Sequence, residues 1–191
     1  MKTSRTLVSW IIIFVAGFAA GMVFSAWKLD RAAGPSASSA APEQPDARQQ
    51  LKNRIAGLER MLAVKPDNLE ALIQLGNDYF DAGRHQEAIA TYEKALKIDP
   101  RNPNVIVDMG ISYRKMGKPE ESIKAFKKAL EIDPNHPMAL FNMGLVYRDD
   151  LNKPREALKA WETFLEKAGD APHAVMIRPW VKQLKEKLGG S

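Results

Sequence analysis

Three histidines, one pair of adjacent acids and a few serines and glycines are the residues with which this 191-residue chain could do chemistry. His85, His136 and His173 stand apart in predicted turns or helix starts. None has a second His, Asp or Glu at metal-ligand spacing on its own helix face. They read as surface turn histidines. Asp149-Asp150 is a paired acid in a predicted exposed turn, with no apolar pocket to perturb it. Ser112 and Ser122 fall inside helices that already account for them. Gly76, Gly83, Gly110 and Gly117 lie too far apart to form a phosphate-cradling loop. The chain has no cysteine, which removes disulfides, thiol catalysis, thiolate metal sites and covalent haem attachment together. The reading is a non-enzyme with no cofactor and no metal.

The elements that hold these residues repeat. Leu72-x-x-Leu75-Gly76-x-x-Tyr79 aligns with Ile106-x-x-Met109-Gly110-x-x-Tyr113 and Leu140-x-x-Met143-Gly144-x-x-Tyr147, offset by 34 residues each time. Ala88-x-x-x-Tyr92-x-x-Ala95 matches Ser122-x-x-x-Phe126-x-x-Ala129, and Pro66, Pro100 and Pro134 close successive units. Leu72, Leu75 and Tyr79 fall on one stripe of a helix. Gly76 beside that stripe lets a second helix come close, and Ala88 and Ala95 do the same from the partner, where Tyr92 supplies the bulk. Gly83 and Gly117 suit left-handed helix ends, and Asn102-Pro103 reads as a cap followed by the first helical position.

In period and residue types the chain resembles the tetratricopeptide repeat family over roughly residues 67–167. The resemblance implies an all-α fold, a right-handed solenoid of helical hairpins. The expected organisation is an N-terminal tip and transmembrane anchor over 1–29 and an Ala/Ser/Pro linker over 30–49. A capping helix or half repeat (50–66) follows, carrying Ile55, Leu58, Met61 and Leu62. The repeats take 67–100, 101–134 and 135–169, and a capping helix takes 170–191. In the third unit the turn Asp149–Lys153 carries one extra residue, so Ala157 and Trp161 arrive 35 after Ser122 and Phe126. Met176, Trp180, Leu184 and Leu188 form the expected stripe of the last helix, where Pro179 means a kink or a late start.

The family fold offers a concave surface lined by the first helix of each unit. Carried over by position, that surface takes Glu70, Ile73, Asn77, Phe80 and Asp81 from the first repeat. Asn104, Val107, Ile111, Arg114 and Lys115 come from the second, and Met138, Phe141, Leu145, Arg148 and Asp149 from the third. Ile73, Phe80, Val107, Ile111, Phe141 and Leu145 read as apolar beyond what packing demands, and such a strip marks an interaction site. The expected ligand is an amphipathic or hydrophobic peptide of a client protein, gripped by these side chains with Met138 and oriented by Asn77, Arg114 and Arg148. The competing reading is that the chain's own terminal helices, or a second copy, fill the strip. The clamp with which some family members hold acidic C-terminal tails is not kept. Asn77 matches it, but Ile73 and Met138 replace lysines, Asp108 an asparagine and Asn142 a basic residue.

Upstream of the repeats, Leu7 to Trp27 is apolar apart from two serines and carries no charge. A helix crossing a bilayer needs about 20 such residues, and Trp10 and Trp27 stand near the two ends. Phe24-Ser25-Ala26 makes a poor cleavage site, so the segment is expected to remain as a signal anchor. Lys2 and Arg5 precede it without an acid, whereas Asp30 dilutes Lys28 and Arg31. The expected orientation leaves the N-terminus in the cytoplasm and, in a bacterial cell, the repeats in the periplasm at the inner membrane. Gly17, Gly21 and Ser25 share one face, the spacing of a transmembrane dimerisation motif. The linker has no large apolar residue, so it is expected to be a disordered tether reaching about 25 Å.

The net charge is +5, and its positive excess is interspersed rather than gathered on one face, which excludes a nucleic-acid reader. Anchor, tether and repeats together resemble the architecture of bacterial assembly factors with these repeats, including those of c-type cytochrome maturation. The implied function is a membrane-anchored interaction scaffold or assembly chaperone. The alternative is a self-associating structural subunit, a homo-oligomer.

Overall fold

The computed structural model describes residues 47–189, and among these every regular element is helical. The helices are α1 (Ala47–Val64), α2 (Leu69–Asp81), α3 (His85–Ile98), α4 (Pro103–Lys115), α5 (Pro119–Ile132), α6 (Pro137–Leu145), α7 (Pro154–Ala168) and α8 (Ala174–Gly189), with a π-helical turn (Val146–Asp150) extending α6. The anchor (1–29), most of the linker, and the motif Gly17, Gly21 and Ser25 lie outside the described residues. No helix among the described residues is long and apolar enough to cross a membrane. α1 begins at Ala47, inside the segment read as tether.

Each helix packs chiefly on its neighbours in sequence, and the first helices of successive pairs also meet, α2 with α4 and α4 with α6. Within each pair an aromatic side chain of the second helix lies over a glycine of the first. A Cβ on Gly144 would run into the Trp161 indole, and the same holds for Gly76 under Tyr92 and Gly110 under Phe126. The three aromatic residues are fully buried at 0–1% exposure, so nothing larger than glycine can face them. Their tips differ. Tyr92 donates its hydroxyl to Asn77 Oδ1 at 2.7 Å, and Trp161 donates Nε1–H to the Phe141 carbonyl at 3.1 Å. Phe126 has no polar atom to satisfy.

Helix starts follow the same 34-residue rhythm. Asn68 and Asn102 accept backbone N–H bonds from Ala71 (3.1 Å) and Val105 (3.3 Å). At the third such position stands His136, whose Nδ1 accepts from Ala139 N–H at 3.3 Å. That acceptance puts the ring proton on Nε2, which donates to Asn104 Oδ1 at 2.9 Å. His136 is therefore a buried cap, 6% exposed, and not a surface turn histidine. The ring satisfies one helix start and ties it to the preceding pair.

The extra residue of the third turn is taken up by the π-helical turn, a local widening of the helix. Asn152 then takes the left-handed conformation (φ 50°) that Gly83 (φ 74°) and Gly117 (φ 69°) hold in the earlier turns. Asparagine is the non-glycine residue that tolerates this region best.

Both ends are closed by distinct contacts. Ile55 and Leu58 of α1 are buried, but Met61 of the expected set is 48% exposed. Arg54 grips Asp78 through both fork nitrogens at 2.6 Å, and Tyr79 donates its hydroxyl to Glu59 at 2.6 Å. Asp78 is 3% exposed, so this bidentate pair compensates a buried charge. At the other end α8 buries Ala174, Ile177, Val181 and Leu184 rather than the Met176–Trp180–Leu184–Leu188 stripe. The helix has turned by about one residue, leaving Met176 at 47% exposure while Trp180 packs at 5.2 Å on Trp161. Pro179 sits inside α8, and the carbonyl four residues back belongs to Val175, 72% exposed, where water can replace the missing donor.

Candidate functional site

Where α2 meets α4 there is a cavity of about 320 Å³, lined by Asn77, Phe80, Asp81, Tyr92, Asp108 and Ile111. Helical geometry assembles it. Asn77, Phe80 and Asp81 stand at i, i+3 and i+4 on α2, and Asp108 and Ile111 at i and i+3 on α4, so each set shares one face. Tyr92 reaches in from α3 with its hydroxyl turned to Asn77. Burial raises the Asp108 carboxyl from its ordinary 3.8 to about 6, and no cation offsets that desolvation. The Tyr92 hydroxyl is likewise pushed up, first by burial and then by the charges of Asp108 and Asp81. The ring of His85, at the start of α3, lies 5.1 Å from that of Phe80.

Of the ten side chains expected to form a groove, three line this cavity: Asn77, Phe80 and Ile111. Ile73 is half-buried against the first core cluster. Val107 and Phe141 correct the expectation of an exposed strip, because both belong to the core, at 2% and 8% exposure. Val107 packs in the central cluster with Ile106 and Ala139. Phe141 is covered by the chain's own C-terminal segment, with the His173 ring at 4.5 Å and the Phe164 ring at 6.4 Å. Along the third pair, then, the chain occupies part of its own strip. Met138 and Leu145 are half-buried against the C-terminal cluster.

The two arginines are engaged as well. Arg114 bonds Asp150 (Nε to Oδ2, 2.5 Å) and Asp149 (3.2 Å) across the junction between α4 and the π-helical turn. Arg148 pairs with Asp149 at 2.5 Å and lies over the rings of Trp180 (4.2 Å) and Trp161 (4.9 Å). The acid pair is thus a clasp between units rather than a free carboxylate pair. The hydrogen bond from Arg148, foremost, together with the charge of Arg114, holds the Asp149 carboxyl below its ordinary value. Tyr92 and Asp108 are the lining residues that sequence reasoning left out of the site. By sequence Tyr92 reads wholly as packing. Asp108 reads only as a departure from the family clamp, although its i, i+3 relation to Ile111 places both on one face.

A second cavity, about 490 Å³, lies between α1 and the end of α2, lined by residues that include Leu51, Ile55, Glu59, Asp81 and Arg84. Among the described residues no group of three His, Asp or Glu could hold a metal ion.

Three family models match the chain: a TPR repeat over residues 76–117, and tetratricopeptide repeats over 105–136 and 125–159. Together the three matches run over residues 76–159. The solved structures similar to this repeat domain include the crystal structure of MamA, with TM-score 0.66 and 22% identity over 74% of this chain and 81% of that one. The first repeat domain of Spaghetti (RPAP3) bound to the HSP90 peptide SRMEEVD has TM-score 0.57 and 24% identity, covering 63% of this chain and 93% of its own. The Yersinia enterocolitica type III secretion translocator chaperone SycD has TM-score 0.59 and 17% identity over 63% and 94%. At these identities the likeness is one of fold. No curated protein matches the chain. Tetratricopeptide repeats are protein–protein interaction modules, generally without catalytic activity of their own.

Proposed function

We propose that this chain is a non-catalytic, membrane-anchored scaffold or assembly chaperone. It holds a peptide segment of a client protein on the face where α2 and α4 meet. The observation that carries this reading is the cavity shared by Asn77, Phe80 and Ile111, three side chains expected on the concave surface, of which Phe80 and Ile111 pack only partly against the core. The anchor of this proposal is residues 7–27, and in a bacterial cell the repeats would face the periplasm from the inner membrane. The SRMEEVD ligand of the RPAP3 domain is acidic. The binding face proposed here presents Asp81 and Asp108, so a client with an acidic tail does not suit it.

Co-purification from a detergent extract of the full chain tests the proposal by comparing wild type with Ile111→Glu. Proteins retained by the wild type and lost from the variant, at unchanged helicity and melting temperature, are the expected result. Equal retention by both refutes the proposal.

Self-association is a second reading, favoured by apolar side chains exposed at both ends of the domain. Met61 and Val64 are 48% and 80% exposed on α1, and Val175 and Met176 are 72% and 47% exposed on α8. Light scattering of the full chain in mild detergent would then show mass rising with concentration.

A further inference from the structure

Resting on the proposed client-binding face, we propose that the cavity between α2 and α4 is a specificity pocket for a lysine or arginine side chain of the client, its aliphatic stem against Phe80 and Ile111 and its cationic head between Asp81 and Asp108. The lining is half apolar and half acceptor. Phe80 and Ile111 supply the walls, and the carboxylates of Asp81 and Asp108 supply the charge. None of the six lining residues is basic.

Two of the nearby arginines have other commitments. Arg54 closes its fork on Asp78 and acts on Asp81 only through space. Arg114, one turn beyond Ile111, is held by Asp149 and Asp150. Asp108 is therefore a desolvated carboxylate to which the described part of the chain offers no cation, which is an unfavourable arrangement left alone and a favourable one once a cation enters. An apolar side chain in the same place would strip more water from Asp108 and return nothing. The volume, about 320 Å³, accommodates a long side chain together with a few waters. Long basic side chains meet both halves of the lining, because their methylene stems pack on apolar surface while the head stays polar.

The test uses the full chain in mild detergent and a set of immobilised synthetic amphipathic peptides identical except at one position, occupied by Lys, Arg, norleucine or Glu, with EDTA present. Lys and Arg peptides are expected to bind about tenfold tighter than the norleucine peptide, the effect of one charge-assisted bond. The Glu peptide should bind weakest. Asp81→Asn with Asp108→Asn should erase the preference while keeping norleucine-peptide binding, and circular dichroism would verify the fold. Equal binding of Lys and norleucine peptides to the wild type overturns the pocket but leaves the binding face standing. A Lys preference that survives the double variant also overturns it. Failure of every peptide to bind, with Ile111→Glu silent in co-purification, removes the face and the pocket together.

Discussion

Asp108→Asn should make the protein more stable, an unusual outcome for a substitution in a half-buried site. The folded chain raises the Asp108 carboxyl from 3.8 to about 6 through burial alone. A shift of about two units corresponds to about 3 kcal/mol by which the folded state disfavours the carboxylate. The folded chain therefore holds the Asp108 proton more tightly than the unfolded chain does. The stabilisation linked to this proton is fully present below pH 3.8 and lost as pH rises through about 6. Above that, the wild type bears the whole penalty, whereas asparagine, of similar volume and uncharged, does not. Water reaching the cavity lowers the net gain, so the expected effect at pH 7.5 is about 2 kcal/mol, or about 4–8 °C in melting temperature for a domain of this size. Thermal melts of both proteins from pH 4 to pH 8 measure it. The difference between them should be small near pH 4 and grow to a plateau above pH 6.5. Taking the difference cancels other carboxylates, including Asp149, whose lowered value works in the opposite direction. A variant equal to or less stable than the wild type at pH 7.5 refutes the argument, as does a gain that does not change with pH.

Two further substitutions probe the frame that holds this face. Gly144→Ala would drive a methyl group into the Trp161 ring, which is fully buried and bonded to the Phe141 carbonyl. It should cost about 1–3 kcal/mol by overpacking, measured by urea unfolding. His136→Ala should cost about 1 kcal/mol by removing the cap of α6. His136→Asn, which restores the residue type found at positions 68 and 102, should recover most of that loss in the same assay.

Much of this architecture is legible in the residues because a 34-residue period leaves little freedom. The glycine–aromatic pairs, the asparagine caps and the extra residue in the third turn each map onto an observed contact. What the period does not encode is the packing of segments outside it. Phe141 reads as a groove residue until the ring of His173 is found on top of it, and no repeat spacing predicts that contact. In α8, Met176 and Ile177 are both apolar and adjacent, so hydrophobicity leaves the buried face ambiguous by one residue. Packing against Phe164 and Trp161 settles it. His136 misleads differently, since histidine is an uncommon cap and its ring has to be seen against Ala139 and Asn104 to be read as one. The candidate site is half legible in the residues. Asn77, Phe80 and Ile111 follow from helix position, whereas the role of Asp108 depends on how deeply α2 and α4 bury it, a property of the assembled pair.

The contacts between α1 and α2 also constrain how such a protein could lengthen. Repeat arrays grow when recombination duplicates a unit, and the copy must fit behind any unit it follows. Position 78 is aspartate only in the first repeat, with Ser112 and Val146 at the equivalent places, and this acid is buried under Arg54. A second copy of residues 67–100 inserted after the first would bury another Asp78 with Ala88, not an arginine, at the place of Arg54. A buried carboxylate left without its partner in this way destabilises the fold. The middle unit carries Ser112, which bonds its own helix at the Asp108 carbonyl and needs nothing from the unit before it. By this contact the second unit is the one a growing array could copy, and the first is bound to its place next to α1.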